Sequence, residues 1–162
     1  MKTIYLAGGC FWGVQEYYSR LKGVIKTTCG YANGITVSPS YQDVKTGKTF
    51  HAETVKVIYD ENVISLLTLL EHYLRFVDPY SLNKQGEDVG IQYRTGVYYL
   101  DQSEENVIKG FFDKVLGNNY YIEIKPLENF YEAEEYHQDY LKKNPNGYCH
   151  VNLNLIKKNE AK

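Results

Sequence analysis

Cys10 stands where a short apolar run, Thr3–Ala7, gives way to a helix-like stretch opening at Phe11. That junction predicts a thiol at a helix N-terminus, where unpaired backbone N–H groups and the positive end of the helix dipole favour the thiolate. Gly8, Gly9 and Gly13 allow a sharp turn and leave the sulfur open to approach. Phe11 and Trp12, the only tryptophan in the chain, put two aromatic rings beside it. A thiolate on an elbow, walled by apolar rings, is suited to attack at a small centre that carries an apolar group. Two plainer readings compete. A cysteine after a strand is often only a small core residue. Leu6–Cys10 also resembles a lipoprotein signal, but its basic head is one Lys and its apolar segment is only four or five residues.

Two long polar loops carry the other groups with chemistry in them. The first runs from Ala32 to Phe50 and holds Tyr41 just after Ser38-Pro39-Ser40; His51-Ala52-Glu53 then places an acid at the mouth of a strand. The second runs from Tyr80 to Arg94, with Gly86 and Gly90 as hinges around Glu87, Asp88 and Gln92-Tyr93-Arg94. Long loops in compact domains often carry function. A carboxyl group beside aromatic rings is desolvated, which raises its pKa and keeps it protonated as a donor. Tyrosine hydroxyls can hold charge developing on oxygen. The reaction these parts suit is attack by sulfur on an electron-poor centre whose oxygen needs a proton. A metal site is not expected: there is no Cys-x-x-Cys, and His51, His72, His137 and His150 are scattered. Glu134-x-x-His137 imitates half of a di-iron motif, but the second copy is absent, so a packed or capped histidine is the better reading.

The elements that must position these groups follow from periodicity and punctuation. Thr3–Leu6 reads as a strand, Phe11–Arg20 as a helix, and Val24–Tyr31 as a β-branched strand bounded by glycine. Glu53–Tyr59 alternates, with Glu53, Val55, Val57 and Tyr59 on one face. Ser65 caps a helix over Leu66–Phe76 that stops at Asp78-Pro79. Thr95–Leu100 is a strand, a helix opens at Ser103 and ends at Gly117, and Ile122–Ile124 is a short edge strand. Glu132–Lys143 reads as an amphipathic helix, Val151–Leu155 as a possible further strand, and Lys157–Lys162 as a solvated tail. The order favours an α+β two-layer sandwich, with helices on one face of a mainly antiparallel sheet.

At 162 residues the chain makes one domain with a sizeable core, residues 1–162. The segment 145–162 is expected to be mobile. A net charge of −2 gives no argument for nucleic acid, and no apolar run approaches the roughly 20 residues of a membrane span. Three cysteines without a secretory signal point to a reducing, cytoplasmic setting rather than a disulfide framework. The 17 tyrosines are expected to be half-buried, with wet hydroxyls.

Together the motifs resemble one family. Gly9-Cys10-Phe11-Trp12-Gly13 is similar to the signature of the peptide methionine sulfoxide reductase A family. The likeness continues through Gly30-Tyr31, Pro39-Ser40-Tyr41, His51-Ala52-Glu53, Asn83–Gly86, Asp88–Arg94, Tyr136-His137-Gln138 and Asn144–Cys149, across about nine tenths of the chain. The resemblance implies a sandwich with a ferredoxin-like core, reduction of the S epimer of methionine sulfoxide, no cofactor, and thioredoxin as reductant. It implies Cys10 as nucleophile, Glu53 as the acid, and Tyr41 and Tyr93 as hydrogen-bond donors to the sulfoxide oxygen. By the same likeness Phe11 and Trp12 wall the substrate methyl, Asp88 meets the substrate backbone, and Cys149 is the recycling cysteine. Phe50 stands where the family usually has Gly, Cys29 has no counterpart role, and no second recycling cysteine follows Cys149. A monomer is expected. The rivals are another thiol enzyme, such as a peroxidase or a cysteine hydrolase, and a non-enzymatic Tyr-rich interaction module.

Overall fold

The computed structural model covers residues 1–162. Its elements are β1 (Lys2–Gly8), α1 (Phe11–Ser19), β2 (Val24–Ala32), α2 (Tyr41–Lys45), β3 (Ala52–Tyr59), α3 (Leu66–Phe76), β4 (Lys84–Gln85), β5 (Asp88–Val89), β6 (Thr95–Tyr99), α4 (Glu104–Leu116), β7 (Glu123–Pro126), β8 (Phe130–Glu132) and α5 (Tyr140–Lys143). Six strands form one sheet in the order β7-β6-β1-β3-β2-β8, and β4 and β5 form a separate small hairpin. Only β6 and β7 pair in parallel, joined through α4 as a parallel crossover requires. Pro126 is tolerated because β7 is an edge strand.

Alternation decides what the helices cover. Ile4 and Leu6 of β1, Cys29 and Tyr31 of β2, Val55 and Val57 of β3, and Val97 and Tyr99 of β6 share one core with the buried residues of α1, α3 and α4. The odd-even partners Tyr5, Ala7, Ala32, Ala52 and Tyr98 form a second, small cluster drawn from strands alone. The helices therefore lie on one face, and Glu53, in phase with Val55 and Val57, lies on that face too. The chain is an α+β protein with a mainly antiparallel sheet, as the element order implies.

Both polar loops contain more structure than their composition suggests. In the first, Ser40 and Asp43 form a reciprocal capping box that opens α2 at Tyr41. The second contains the β4–β5 hairpin and a 3₁₀ turn, Ile91–Tyr93. The helix expected over Glu132–Lys143 is absent: β8 ends there, a 3₁₀ turn spans Glu135–His137, and only α5 is helical. Hydrogen bonds to β2 explain the difference. Ala133 N–H donates to Cys29 O at 2.9 Å. The Gln138 side chain takes the Cys29 N–H at 2.9 Å and donates to the Cys29 carbonyl at 2.9 Å. Asp139 then adopts a left-handed φ of 52°, which breaks any helix through it. Val151–Leu155 is likewise not a strand but ends in a 3₁₀ turn, Leu153–Leu155, which the Asn152 side chain caps. The last residues are not a free tail. The Glu160 carboxylate accepts from both terminal guanidinium nitrogens of Arg75 at 2.7 Å, and Lys22 N–H donates to Glu160 O at 2.9 Å.

The tyrosines also differ from expectation. Tyr17, Tyr18, Tyr31, Tyr59, Tyr73, Tyr98 and Tyr99 are at most 2 % exposed. Several hydroxyls are satisfied inside the protein rather than by solvent, such as Tyr18 on Leu69 O at 2.8 Å and Tyr98 on Glu123 at 2.8 Å. Tyr73 of α3 is the most consequential. Its hydroxyl donates to Ala7 O at 2.5 Å and accepts the Gly96 N–H at 3.1 Å. Ala7 and Gly96 are register partners in β1 and β6, so this hydroxyl is wedged into the ladder just before Cys10. Tyr73→Phe strands two buried backbone groups. Each costs about 1–3 kcal/mol when left unpaired, so the urea midpoint is expected to fall by an amount equivalent to ~2–6 kcal/mol with an unchanged m-value.

Candidate functional site

Cys10 is the residue that caps α1, with φ −56° and ψ 124°, and it is 8 % exposed. The elbow before it depends on Gly9, whose φ is 87°. A Cβ on Gly9 would lie 2.8 Å from Gln85 Cβ and 3.0 Å from His150 Nε2, so backbone conformation and space both require glycine. Beneath the elbow lies Glu53, 2 % exposed, near the start of β3 and opposite Tyr31 in register. Its Oε1 accepts the Phe11 N–H at 3.2 Å, which satisfies one of the orphan donors of α1.

Burial and charge set the protonation of this pair. Glu53 is pushed up to about 8 by burial; the Phe11 N–H opposes the shift and the charge of Asp88 adds to it. The carboxyl group therefore holds its proton at neutral pH. The Cys10 thiol is raised far above its usual value, chiefly by burial and then by the Glu53 charge, while the Trp12 N–H pulls it down. This corrects the expectation that the helix terminus alone yields a thiolate. The helix contribution is present, but desolvation and the carboxylate outweigh it. A proton on Glu53 removes the second-largest raising effect and leaves burial as the main one.

Tyr41 and Tyr93 converge on the same point from the two loops. Tyr41 opens α2, and its N–H donates to Glu134 Oε2 at 2.8 Å. The other oxygen of Glu134 accepts the Tyr31 hydroxyl at 2.8 Å, so one carboxylate ties α2 to β2. Tyr93 closes the 3₁₀ turn before Arg94, whose guanidinium pairs with Glu123 at 2.7 Å and donates to Ile91 O and Asn33 O. Burial, then the charge of Glu53, pushes the Tyr41 hydroxyl up to about 12 and raises that of Tyr93 still further. Both remain proton donors throughout the neutral range. Phe50, before His51, has a φ of 58°, where glycine is at ease and another residue pays about 1–2 kcal/mol.

The aromatic wall is held by residues the sequence reading did not assign to the site. Trp12 stacks on Tyr140 of α5 at 3.7 Å and 11°. Its Nε1–H donates to His137 Nδ1 at 3.0 Å. Indole can only donate, so His137 carries its proton on Nε2, which is buried and has no partner. The His137 ring also packs on Phe11 at 5.2 Å and on Tyr41 at 4.5 Å. Glu134 was visible only as a spacing, and His137 as that spacing and as part of the Tyr136-His137-Gln138 block. Their roles, one holding Tyr41 and the other Trp12, arise from tertiary contacts of a 3₁₀ turn.

The remaining groups sit at the rim or below. Asp88, in β5, accepts the Tyr148 hydroxyl at Oδ2 at 2.8 Å, and its charge reaches Cys10, Glu53 and Tyr93. Cys149 donates its S–H to Val151 O at 3.1 Å. A Cβ on Gly13 would come within 3.0 Å of its sulfur, so glycine there lets this segment lie against α1. Cys29 is fully buried and donates to Gln15 Oε1 at 3.1 Å. All three thiols are free. No helix is long and apolar enough to cross a membrane.

Because Trp12 is the only tryptophan, its fluorescence reports on this wall alone. Burial lowers the pKa of His137, with Glu134 opposing, so the neutral ring that accepts the indole proton persists below the ordinary value of 6.5. The change in wild-type emission that accompanies loss of the Trp12–His137 bond is expected only below pH 6.5. His137→Ala is expected to shift emission to the red at every pH and to increase quenching by iodide.

Comparison with known proteins accords with this geometry. The chain matches the family model described as peptide methionine sulfoxide reductase over residues 2–162. It is 57% identical over 156 residues to the peptide methionine sulfoxide reductase MsrA of Clostridium perfringens (strain 13 / Type A), covering 94% of this chain and 99% of that protein. It is also similar to the crystal structure of Mxr1 from Saccharomyces cerevisiae in reduced form, with a TM-score of 0.84, 38% identity, and 93% of this chain and 91% of that chain covered. Mxr1 in complex with Trx2 is similar at a TM-score of 0.58 and 26% identity, covering 86% of this chain and 84% of that chain. A match of this extent, over a chain whose thiol and protonated carboxyl group share one buried corner, means that the chain belongs to the peptide methionine sulfoxide reductase family.

Proposed function

We propose that this reductase acts on the S epimer of methionine sulfoxide, free or in proteins, through a Cys10 sulfenic acid that Cys149 resolves and thioredoxin clears. The observation that carries the chemistry is the buried Glu53, protonated at neutral pH and joined to the Cys10 elbow through the Phe11 N–H. The substrate methyl rests against Phe11 and Trp12, its oxygen faces Glu53 and the hydroxyls of Tyr41 and Tyr93, and its backbone meets Asp88. Sulfur of Cys10 attacks the sulfoxide as Glu53 protonates the departing oxygen. Methionine leaves, the oxygen is carried as Cys10–SOH, and the thiol proton of Cys10 restores Glu53. Binding energy and acid strength are thus concentrated on an oxygen that becomes basic only as the S–O bond weakens.

The thiol of Cys149 then attacks the sulfenic sulfur. An S–S bond forms, the S–O bond breaks, and water departs. The complex of the yeast relative with Trx2 supports thioredoxin as the reductant of that disulfide. A monomer in the cytoplasm, without cofactor, nucleic acid or membrane, is the form in which we propose it works. A hydrolase reading wants a histidine base on the nucleophile, whereas His137 bonds Trp12 and His150 bonds Gly8 O rather than the Cys10 thiol.

Cys10→Ser is expected to abolish release of methionine from the S-sulfoxide while leaving the thermal transition in place. The pH profile tests Glu53 separately. With a value of about 8, the acid form is present below pH 8 and lost above it, so the single-turnover rate of methionine formation is expected to fall as pH rises through 8. Glu53→Gln should be slower by about 10²–10⁴-fold and show no such fall. Cys149→Ser should release one methionine per enzyme, stop turning over with thioredoxin, and still turn over with dithiothreitol. Full turnover of that variant with thioredoxin, or a Cys10–Cys29 linkage in peptide maps of oxidised wild type, would refute the recycling scheme.

A further inference from the structure

Cys149 is held on both sides by bonds to two other parts of the chain, β5 and the end of β1. The residue before it, Tyr148, donates its hydroxyl to Asp88 Oδ2 at 2.8 Å. The residue after it, His150, donates from Nε2 to Gly8 O at 2.8 Å, because a carbonyl can only accept. Between them the Cys149 S–H is committed to Val151 O, with its sulfur against Gly13 of α1. In this arrangement Cys149 is docked beside the elbow and is bonded to its own segment rather than to Cys10.

The two anchors differ in strength. The His150 bond is partly buried, and its ring fills the space over Gly9. The Tyr148 bond is exposed, and the tyrosine keeps 42 % of its surface in solvent. A solvated hydrogen bond is easily exchanged for another donor. Asp88 is therefore the end at which the segment can open, with His150 as the fixed end.

We propose that Tyr148 is a latch. Its hydroxyl occupies Asp88 in the reduced enzyme and keeps Cys149 seated, and a substrate backbone donor that takes Asp88, and holds it until the methionine formed dissociates, releases the Cys149 segment. Tyr148 is a positioning residue and takes no part in the chemistry at sulfur. The inference rests on the reading above, in which Asp88 meets the substrate backbone and Cys149 resolves Cys10. Substrate binding and freedom of the resolving thiol then become one exchange at a single carboxylate. A sulfoxide with no backbone donor should form the sulfenic acid but leave the latch closed.

The test uses reduced full-length enzyme and two oxidants: N-acetylmethionine S-sulfoxide methylamide, which has amide donors, and dimethyl sulfoxide, which has none. Product formation and loss of titratable thiols are followed in quenched single turnovers. In wild type, disulfide formation is expected to keep pace with product for the first oxidant and to lag by about fivefold for the second, the equivalent of one ~1 kcal/mol hydrogen bond. Tyr148→Phe keeps the ring and deletes the donor. It should remove the lag with dimethyl sulfoxide and lower KM for the methionine substrate, since Asp88 is vacant. Equal lags for both oxidants in wild type, a lag that survives in Tyr148→Phe, or a raised KM in that variant would overturn the latch. Peptide maps of oxidised wild type without a Cys10–Cys149 disulfide would instead refute the recycling scheme on which it rests.

Discussion

A carboxyl group is buried under the first turn of a helix, and the remainder of the site follows from that placement. Glu53 gives α1 an acceptor for the Phe11 N–H that no side chain of the cap supplies, since Cys10 makes no capping hydrogen bond. The helix terminus favours the charged form and burial disfavours it; burial is the larger effect and leaves a protonated acid at neutral pH. The same carboxyl group fixes where Cys10 lies, because the helix it anchors begins one residue later. Position of the nucleophile and protonation of the donor are thus consequences of a single contact between sheet and helix.

That contact survives because the chain beyond β7 encloses it. β8 adds to the sheet beside β2, and the segment after it is fastened to Cys29 through Gln138. Gln15 of α1 receives the Asp139 N–H and donates to Thr27 O, joining the helix, β2 and the C-terminal third. Glu134 and His137, set by this enclosure, reach back to Tyr41 and Trp12. The wall around the thiol is therefore assembled from the beginning and the end of the chain, with Trp12 and Tyr41 each bonded to a partner more than 90 residues away.

Buried tyrosines serve as struts in this enclosure. A phenol supplies the apolar area of a core side chain and also a hydroxyl that reaches a distant backbone group. Tyr73 uses this to bridge strands β1 and β6 one pair before their ladder ends at Gly8 and Thr95, ahead of the Cys10 elbow. Tyr31 uses it to hold Glu134, and so the loop that carries Tyr41. Such bonds are stiff because the groups they satisfy have no water to turn to.

The sequence by itself determined the elements that local rules govern. The alternation of Glu53, Val55, Val57 and Tyr59 put the acid on the helix-covered face, because the strand period is two and the apolar set must face the core. The strand, glycine elbow and helix around Cys10, the Ser65 cap and the halt at Asp78-Pro79 were legible for the same reason: each is decided by neighbours within a few residues. Residues 132–143 were not, because a helical period is a weak preference, and the Gln15 side chain of α1 and the backbone of β2 offered the segment other partners. The protonation of Cys10 also lay beyond the sequence. A helix terminus can be read from residue order, whereas burial and a carboxylate brought from residue 53 exist only once the sheet and helix have met. The tautomer of His137, the tie from Glu134 to Tyr41, and the bond from Tyr148 to Asp88 belong to tertiary structure alone, since each joins groups that only the closed fold brings within hydrogen-bond reach.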